Sequence, residues 1–442
     1  MKSNDTSIED VALSRFHQLL TVRSVGGSFV DGYVLSIVGV VMLQMSSTLQ
    51  LDSFWEGMIA ASALIGIFFG GFIGGWLTNI IGRKRIFFVG PVIFIAASLC
   101  HLWTDSIVAV FVLRLLIGVA VGIEYPVATS LLVEFLPRRY RGPRLAALAL
   151  LWFVGAAFAY VVGEVVLRSG RPDAWQLALA SGAVLGMLLL VVRLGTPESP
   201  RWLLGKGRGG EADAVIKRIY GQHFSIANLP EQPSDQKLPL SSLLRSGYGR
   251  RMFFVVVFWT CSIIPVFAVY AFAPKVLAAL HLTGDYGSIG SIVITLFFVL
   301  GCLLATRLIN VIGRRKMLIY SFLLSGLALL GLGSSDAGHG NMILLFFSLY
   351  ALFIGGAQVL TLVYPNEIFP TQMRSVAVGI GTSFSRIGAA AGTYLVPVSL
   401  SSIGVANTMY AAAMITLIGL VVSWMYAPET NSMSLNEASA LG

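Results

Sequence analysis

Apolar residues along the chain come in blocks of about 20, the length a helix needs to cross a hydrocarbon layer. Short polar or basic stretches separate them. Twelve such blocks can be drawn, at 24–48, 54–78, 86–104, 106–133, 143–168, 175–194, 251–280, 286–310, 317–335, 341–364, 375–402 and 406–427. Each is about twice as long as a tilted membrane strand requires, and none alternates strictly with a period of two. The pattern predicts an all-α integral membrane protein with twelve transmembrane helices.

Composition agrees with that solvent. Of the 442 residues, 56% are hydrophobic and only 12% charged, with a mean hydropathy of +0.82. Soluble domains carry about 25% charged residues, so an ordinary soluble enzyme is excluded. The net charge of +9 does not point to nucleic acid, because the basic residues sit in short clusters between apolar blocks and not along one face. Arg83, Lys84 and Arg85, then Arg138, Arg139, Arg141 and Arg144, then Arg314, Arg315 and Lys316, then Arg374, all fall in alternate loops. The loops between them hold few, with Arg168 and Arg171 the main exception. This asymmetry places both termini in the cytosol. The segment 1–23 lacks the features of a signal peptide and reads as a cytosolic tail. The three cysteines, Cys100, Cys261 and Cys302, have neither CxxC nor Cys/His spacing, which argues against a disulfide framework or zinc site.

The chain repeats itself, and this halves the problem. Asn79-Ile80-Ile81-Gly82-Arg83-Lys84-Arg85 returns as Asn310-Val311-Ile312-Gly313-Arg314-Arg315-Lys316. Glu134, Pro137 and Arg141 return with the same spacing as Glu367, Pro370 and Arg374, and Pro197-Glu198-Ser199 returns as Pro428-Glu429-Thr430. Six spans per repeat is an even number, so both halves insert the same way up, related by an axis along the membrane normal. This gives a tail (1–23), a six-helix bundle (24–194), a cytosolic linker (195–250), a second bundle (251–427) and a second tail (428–442). The linker's glycine-rich Gly205-Lys206-Gly207-Arg208-Gly209-Gly210 is not a phosphate loop, since it lacks GxxxxGK[ST] and a preceding strand. No cofactor is expected.

These landmarks resemble the major facilitator superfamily, and within it the sugar porter-like branch related to organic cation and anion transporters and aromatic acid/proton symporters. Gly75 to Arg85 is similar to the superfamily's loop two-three signature, Arg114 with Gly118, Gly122, Tyr125 and Pro126 to its fourth-helix motif, and Pro197 to Leu203 to the sugar porter signature after helix six. The resemblance implies a proton-coupled transporter working by alternating access, active as a monomer in a bacterial inner membrane. It also implies a cytosolic gate of Arg83, Glu134, Arg141, Glu198, Arg201, Arg314, Glu367, Arg374 and Glu429, paired within and between the halves. Asn79 stands where the family pattern has aspartate, which implies a weaker latch.

Charges at bilayer depth cost about 2.5–3.5 kcal/mol each on insertion scales, so Asp31, Arg114, Glu124 and Arg386 need a reason. Asp31 is a candidate for proton uptake and release, with Arg114 as its partner by resemblance, or else a permanently paired structural charge. Glu124 could assist proton movement, belong to a gate or form a structural pair. Arg386 falls near the middle of the eleventh span, where its planar fork suits a carboxylate. By resemblance it points to an organic anion as substrate, and the alternative is helix packing with a buried carboxylate partner such as Glu164 or with backbone carbonyls. Tyr33, Gln44, Trp152, Trp259, Tyr270, Phe272, Gln358 and Tyr394 are candidates to line the cavity. A sugar or polyol symporter is the alternative substrate reading, and a non-transporting membrane sensor on the same fold the alternative of another class. No nucleophile–base pair or metal cluster suggests an enzyme.

Overall fold

The computed structural model of the chain describes Ile8 and residues 11–229, 248–279, 285–335, 340–369 and 371–431. Nearly all of these are helical, and no strand occurs among them. The first half comprises α1 (Arg15–Leu49), α2 (Ser53–Ile81), α3 (Arg83–Cys100), α4 (Ile107–Phe135), α5 (Arg138–Leu167), and a sixth span made of α6 (Ala174–Ala180) and α7 (Gly182–Arg193). Two short helices follow, α8 (Pro200–Gly205) and α9 (Gly209–Tyr220). The second half comprises α10 (Gly249–Ala279), α11 (Asp285–Ile312), α12 (Arg314–Gly333), α13 (Gly340–Ile368), α14 (Thr371–Ser402) and α15 (Gly404–Tyr426). Helix is the form in which a spanning chain satisfies its own backbone where no water is available.

Eleven stretches of the described residues are long and apolar enough to cross a membrane. The exception is α14, which is 32 residues long but carries Thr382, Ser383, Ser385 and Arg386 on an otherwise small-residue helix. It packs against α2 and α10, so its polar groups need not face lipid. Trp103 and Trp424, by contrast, are 77% and 65% exposed, as aromatic belt residues at a membrane interface should be.

Two boundaries differ from the sequence reading. α1 begins at Arg15, so the end of the expected 1–23 tail is helix. Arg23 is buried there and donates to the carbonyls of Val192 (2.9 Å) and Leu194, satisfying the C-terminal end of α7, where carbonyls lack helical partners. The linker is likewise structured in part. α9 buries Ala212 and Ile216, the latter in a small core with Ile8 and Phe224, and Tyr220 donates to the carbonyl of Phe135 at 2.8 Å. This holds the linker beneath the first half.

Within the first half, α1 and α5 are in backbone contact. A Cβ on Gly32 would overlap the carbonyl of Trp152, and one on Gly155 would overlap that of Phe29. Small residues allow this approach, and dispersion then replaces the hydrophobic effect that lipid does not provide. The contact fixes Asp31 and Trp152 on adjoining helices.

The sequence repeat turns out to be one structural device used twice. Glu198 accepts from the backbone N–H groups of Arg83 (2.9 Å) and Lys84 (3.1 Å), at the N-terminus of α3. Glu429 does the same for Arg314 (2.9 Å) and Arg315 (3.2 Å), at the N-terminus of α12. A carboxylate is favoured there by the free N–H groups and the helix dipole. Arg83 pairs with Glu134 and Arg314 with Glu367, both at 3.3 Å. The hydroxyls of Ser199 and Thr430 bind the second oxygens of Glu134 and Glu367. Gly82 and Gly313 cap these helices at φ +108° and +88°, and a Cβ on either would run into its glutamate.

At the opposite end the halves touch. Lys275 of α10 pairs with Glu56 of α2, whose other oxygen accepts from Ser46 at 2.6 Å. Tyr394 of α14 packs edge-on to Phe54 with centroids 6.0 Å apart, and Ser53 donates to Ser401 at 3.2 Å. The α2–α14 and α2–α10 contacts close this end.

Two outcomes are expected. Gly82→Ala and Gly313→Ala should each destabilise the protein by about 1–3 kcal/mol, the cost of a side chain in such backbone conformations, seen as a lower melting temperature in detergent; an unchanged midpoint would show that the caps tolerate a side chain. Lys275→Met should loosen the closed end by about 1–3 kcal/mol, between the limits for exposed and buried pairs. A cysteine at position 393 should then label several-fold faster with a membrane-impermeant maleimide, whereas equal rates would mean that the pair does not hold the closure.

Candidate functional site

Four ionisable groups lie deep in the bundle, and the structure partners them differently from the sequence reading. Asp31 is 2% exposed and its Oδ1 has no hydrogen-bond partner among the described residues. The charges that act on it are those of Glu124, Arg193 and Arg386. Arg114, its expected partner, is 1% exposed and donates instead to the α1 carbonyls of Val34 and Leu35, about one turn beyond Asp31. The pairing of Asp31 with Arg114 is therefore corrected: α1 presents carbonyls, not the carboxylate, to α4 at this level.

Glu124 forms a buried ion pair with Arg193, which also donates to the Phe87 carbonyl at 2.6 Å and lies 3.7 Å over the Phe87 ring. Both charges are buried, 2% and 0% exposed by side chain. Of the three readings of Glu124, the structural pair is the one observed. Arg193 was missed because it stands at the end of an apolar span, where an arginine usually reaches for the interface. Its signal was an ionisable residue on a helix opposite another within the same half.

Arg386 projects from α14 over the ring of Phe267, 5.3 Å from its centroid, and its Nε is buried without a partner among the described residues. No ion pair involves it among the described residues. Glu164, the carboxylate suggested for it, pairs with Arg168 at 2.8 Å. Asp31 is the carboxylate whose charge reaches Arg386, which links the two across the interface between halves. Trp152 packs on the other element of that contact, 5.7 Å from Phe267 in an edge-on geometry. Arg386, Phe267 and Trp152 thus form a mixed aromatic and charged contact between α5, α10 and α14, with Asp31 on the adjoining α1.

The remaining cavity candidates divide. Tyr33 is buried, with its hydroxyl on that of Ser181, at the break between α6 and α7. Gln44 donates to the Arg171 carbonyl at 2.9 Å, near the closed end and away from the cluster. Gln358 donates to the Ser262 carbonyl at 3.0 Å within the second half. Trp259 is 4% exposed and packs against Gly381, and Phe272 is buried in the core. Tyr394 serves the closed end. Of these candidates only Trp152 meets Arg386's neighbourhood, and the Tyr270 side chain lies outside the described residues.

Among the expected gate residues, the pairs seen for Arg83, Glu134, Glu198, Arg314, Glu367 and Glu429 all lie within one half or the other. Pairing between halves was also expected, and none of these contacts crosses. Arg201 stands in α8 and is half-buried. The side chains of Asn79, Arg141 and Arg374 lie outside the described residues.

The arrangement of two repeated six-helix halves has counterparts. Residues 19–441 match the family described as sugar (and other) transporter. The inner membrane metabolite transport protein YgcS of Escherichia coli is 36% identical over 442 residues, covering 100% of this chain and 98% of that protein. The arabinose-proton symporter of Bacillus subtilis is 24% identical, with 100% and 99% covered. Among solved structures, the xylose transporter XylE of E. coli in a partially occluded inward-open conformation superposes with a TM-score of 0.80 at 19% identity, covering 95% of this chain and 100% of that one. This chain belongs to the sugar (and other) transporter family and has the major facilitator fold, a multi-pass integral membrane transporter of metabolites.

Proposed function

We propose that the protein is a proton-coupled symporter of a small organic anion, binding the anionic group at Arg386. The observation that carries this reading is the guanidinium of Arg386, in no salt bridge among the described residues and lying over an aromatic ring at the interface of the halves, with the charge of Asp31 reaching it. A cation at such depth is costly, and a carboxylate is the ligand its planar fork fits best. Asp31, with an unpartnered oxygen and within reach of Arg386's charge, is the proton carrier in this reading. Protonating it frees Arg386 for the substrate, so that proton and anion favour each other's binding. Glu124 and Arg193 hold the neighbourhood in place. The basic end faces the cytosol in accord with loop charge, both termini with it, and the chain works as a monomer in the inner membrane by rocking of the two halves.

The family and the arabinose-proton symporter among its relatives favour a second reading, in which the solute is a neutral sugar. The driving force separates the two. One proton carried with a neutral solute moves charge and gains about 2.3 kcal/mol per 100 mV, roughly a fiftyfold gradient. One proton carried with a monoanion is electroneutral and gains nothing from potential.

In proteoliposomes, a potassium diffusion potential without a pH gradient should therefore fail to drive accumulation of the anionic substrate, while a pH gradient alone should drive it. Accumulation of a sugar under potential alone would establish the second reading. Asp31→Asn should abolish accumulation driven by the pH gradient and spare exchange of substrate, and full accumulation by this variant would remove Asp31 from the coupling. Arg386→Ala should weaken binding of the anion by about a hundredfold or more, the loss expected for breaking a buried pair, and Arg386→Lys should restore it only in part. Affinity and melting temperature measured together decide the outcome: preserved affinity with a lowered midpoint would mean that Arg386 is a packing residue.

A further inference from the structure

A second, smaller site lies beside Phe267. Ser36 of α1 and Arg114 of α4 come from the first half, and Phe267 and Ala271 of α10 with Thr393 of α14 from the second; together with Ala60 and Ala63 of α2 they line a cavity of about 10 Å³. That is room for about one water-sized body. Three of the lining residues carry a buried polar atom without a hydrogen-bond partner among the described residues: Ser36 Oγ, Arg114 Nε and Thr393 Oγ1. Their residues are 0%, 1% and 1% exposed. The great majority of buried polar groups in proteins have a partner, so three orphans around one cavity mark a place built to hold something.

The chemistry of the three atoms narrows the occupant. The guanidinium Nε–H can only donate, and both hydroxyls can donate, so a body that accepts from all three satisfies the set. Charge narrows it further. Each terminal nitrogen of Arg114 donates to a carbonyl of α1, Val34 or Leu35, and no carboxylate pairs with it among the described residues. A water would fill the hydrogen bonds and leave the cation uncompensated at bilayer depth, where a charge needs a partner. A space of about one water-sized body suits a single small ion better than a carbon skeleton.

We propose that this cavity binds one monatomic anion of halide size, held by Arg114, Ser36 and Thr393. Its walls come from both halves, so it is complete only while the end closed by Glu56 and Lys275 stays closed. The anion therefore favours that arrangement, by its differential affinity for the two states. The site is separate from Arg386, which lies over Phe267, and the proposal does not depend on which solute the protein carries.

The test is the melting temperature of the purified full-length chain at constant sodium concentration, with gluconate replaced stepwise by chloride or bromide. A saturable rise with either halide is expected, following the linkage of ligand binding to stability. Thr393→Val and Ser36→Ala should each keep the midpoint seen in gluconate and weaken the apparent halide affinity about tenfold or more, as for loss of a hydrogen bond to a charged group. Arg386→Ala should keep the halide response, so a failure of anionic solute recognition there and a failure here are read separately. A midpoint that is the same in chloride, bromide and gluconate would overturn the proposal, as would a halide response that survives unchanged in both hydroxyl variants.

Discussion

Every charge and backbone group drawn into this bundle must be satisfied by the protein itself, because hydrocarbon offers nothing in exchange for the water it excludes. The two glutamate clamps answer that requirement where six-helix halves are hardest to hold, at the turns between consecutive spans. Glu198 and Glu429 bind the free N–H groups that begin α3 and α12, so each closes a helix end and ties the last span of its half to the second and third. The arginine in the same turn pairs with Glu134 or Glu367, which brings in α4 or α13. One device thus joins four elements in each half and makes the half a body that can move as a unit.

With the halves stiffened in this way, their interface is where the chain keeps unsatisfied groups. Glu124 and Arg193 neutralise each other inside the first half, and breaking one partner of such a pair is strongly destabilising, so they suit a framework better than a moving part. Asp31, Arg386 and Arg114 are different: each has a buried polar atom without a hydrogen-bond partner, and none has an ion-pair partner among the described residues. In a soluble core such groups would be a defect. In the proposed rocking of the two halves, they are places where a ligand or a proton changes the balance of states, since only differential interactions shift a conformational equilibrium.

The contacts between halves run chiefly along α2 with α14, α1 with α10 and α5 with α11. An ion pair at Glu56 and Lys275, an aromatic edge at Phe54 and Tyr394, and the stacked rings of Phe153 and Phe298 across α5 and α11 can each part without disturbing the backbone contacts within a half. The fused α1 and α5, by comparison, cannot slide, because the carbonyls of Trp152 and Phe29 occupy the space a side chain would need at Gly32 and Gly155.

The sequence by itself determined the helix class, the number of spans, the two repeated halves and their shared motif, because hydrophobic length and internal repetition are local or periodic properties that lipid reads along the chain. It also marked Asp31, Arg114, Glu124 and Arg386 as costly residues needing a partner. Only the tertiary structure decided who the partners are. Which residues of α4 and α7 face α1 depends on helix rotation and crossing, so Glu124 found Arg193 and Arg114 found backbone carbonyls, although spacing alone fitted other pairings equally well. The same reason hid Glu56 and Lys275, which lie far apart in sequence and meet only because the halves close against each other. It also dispersed most of the aromatic and amide candidates, Tyr33, Gln44 and Gln358 among them, to hydrogen bonds outside the central cluster. A side chain's type is written in the chain, but the side of the helix that meets a partner is set by packing, where close approach of backbones selects one rotation among many.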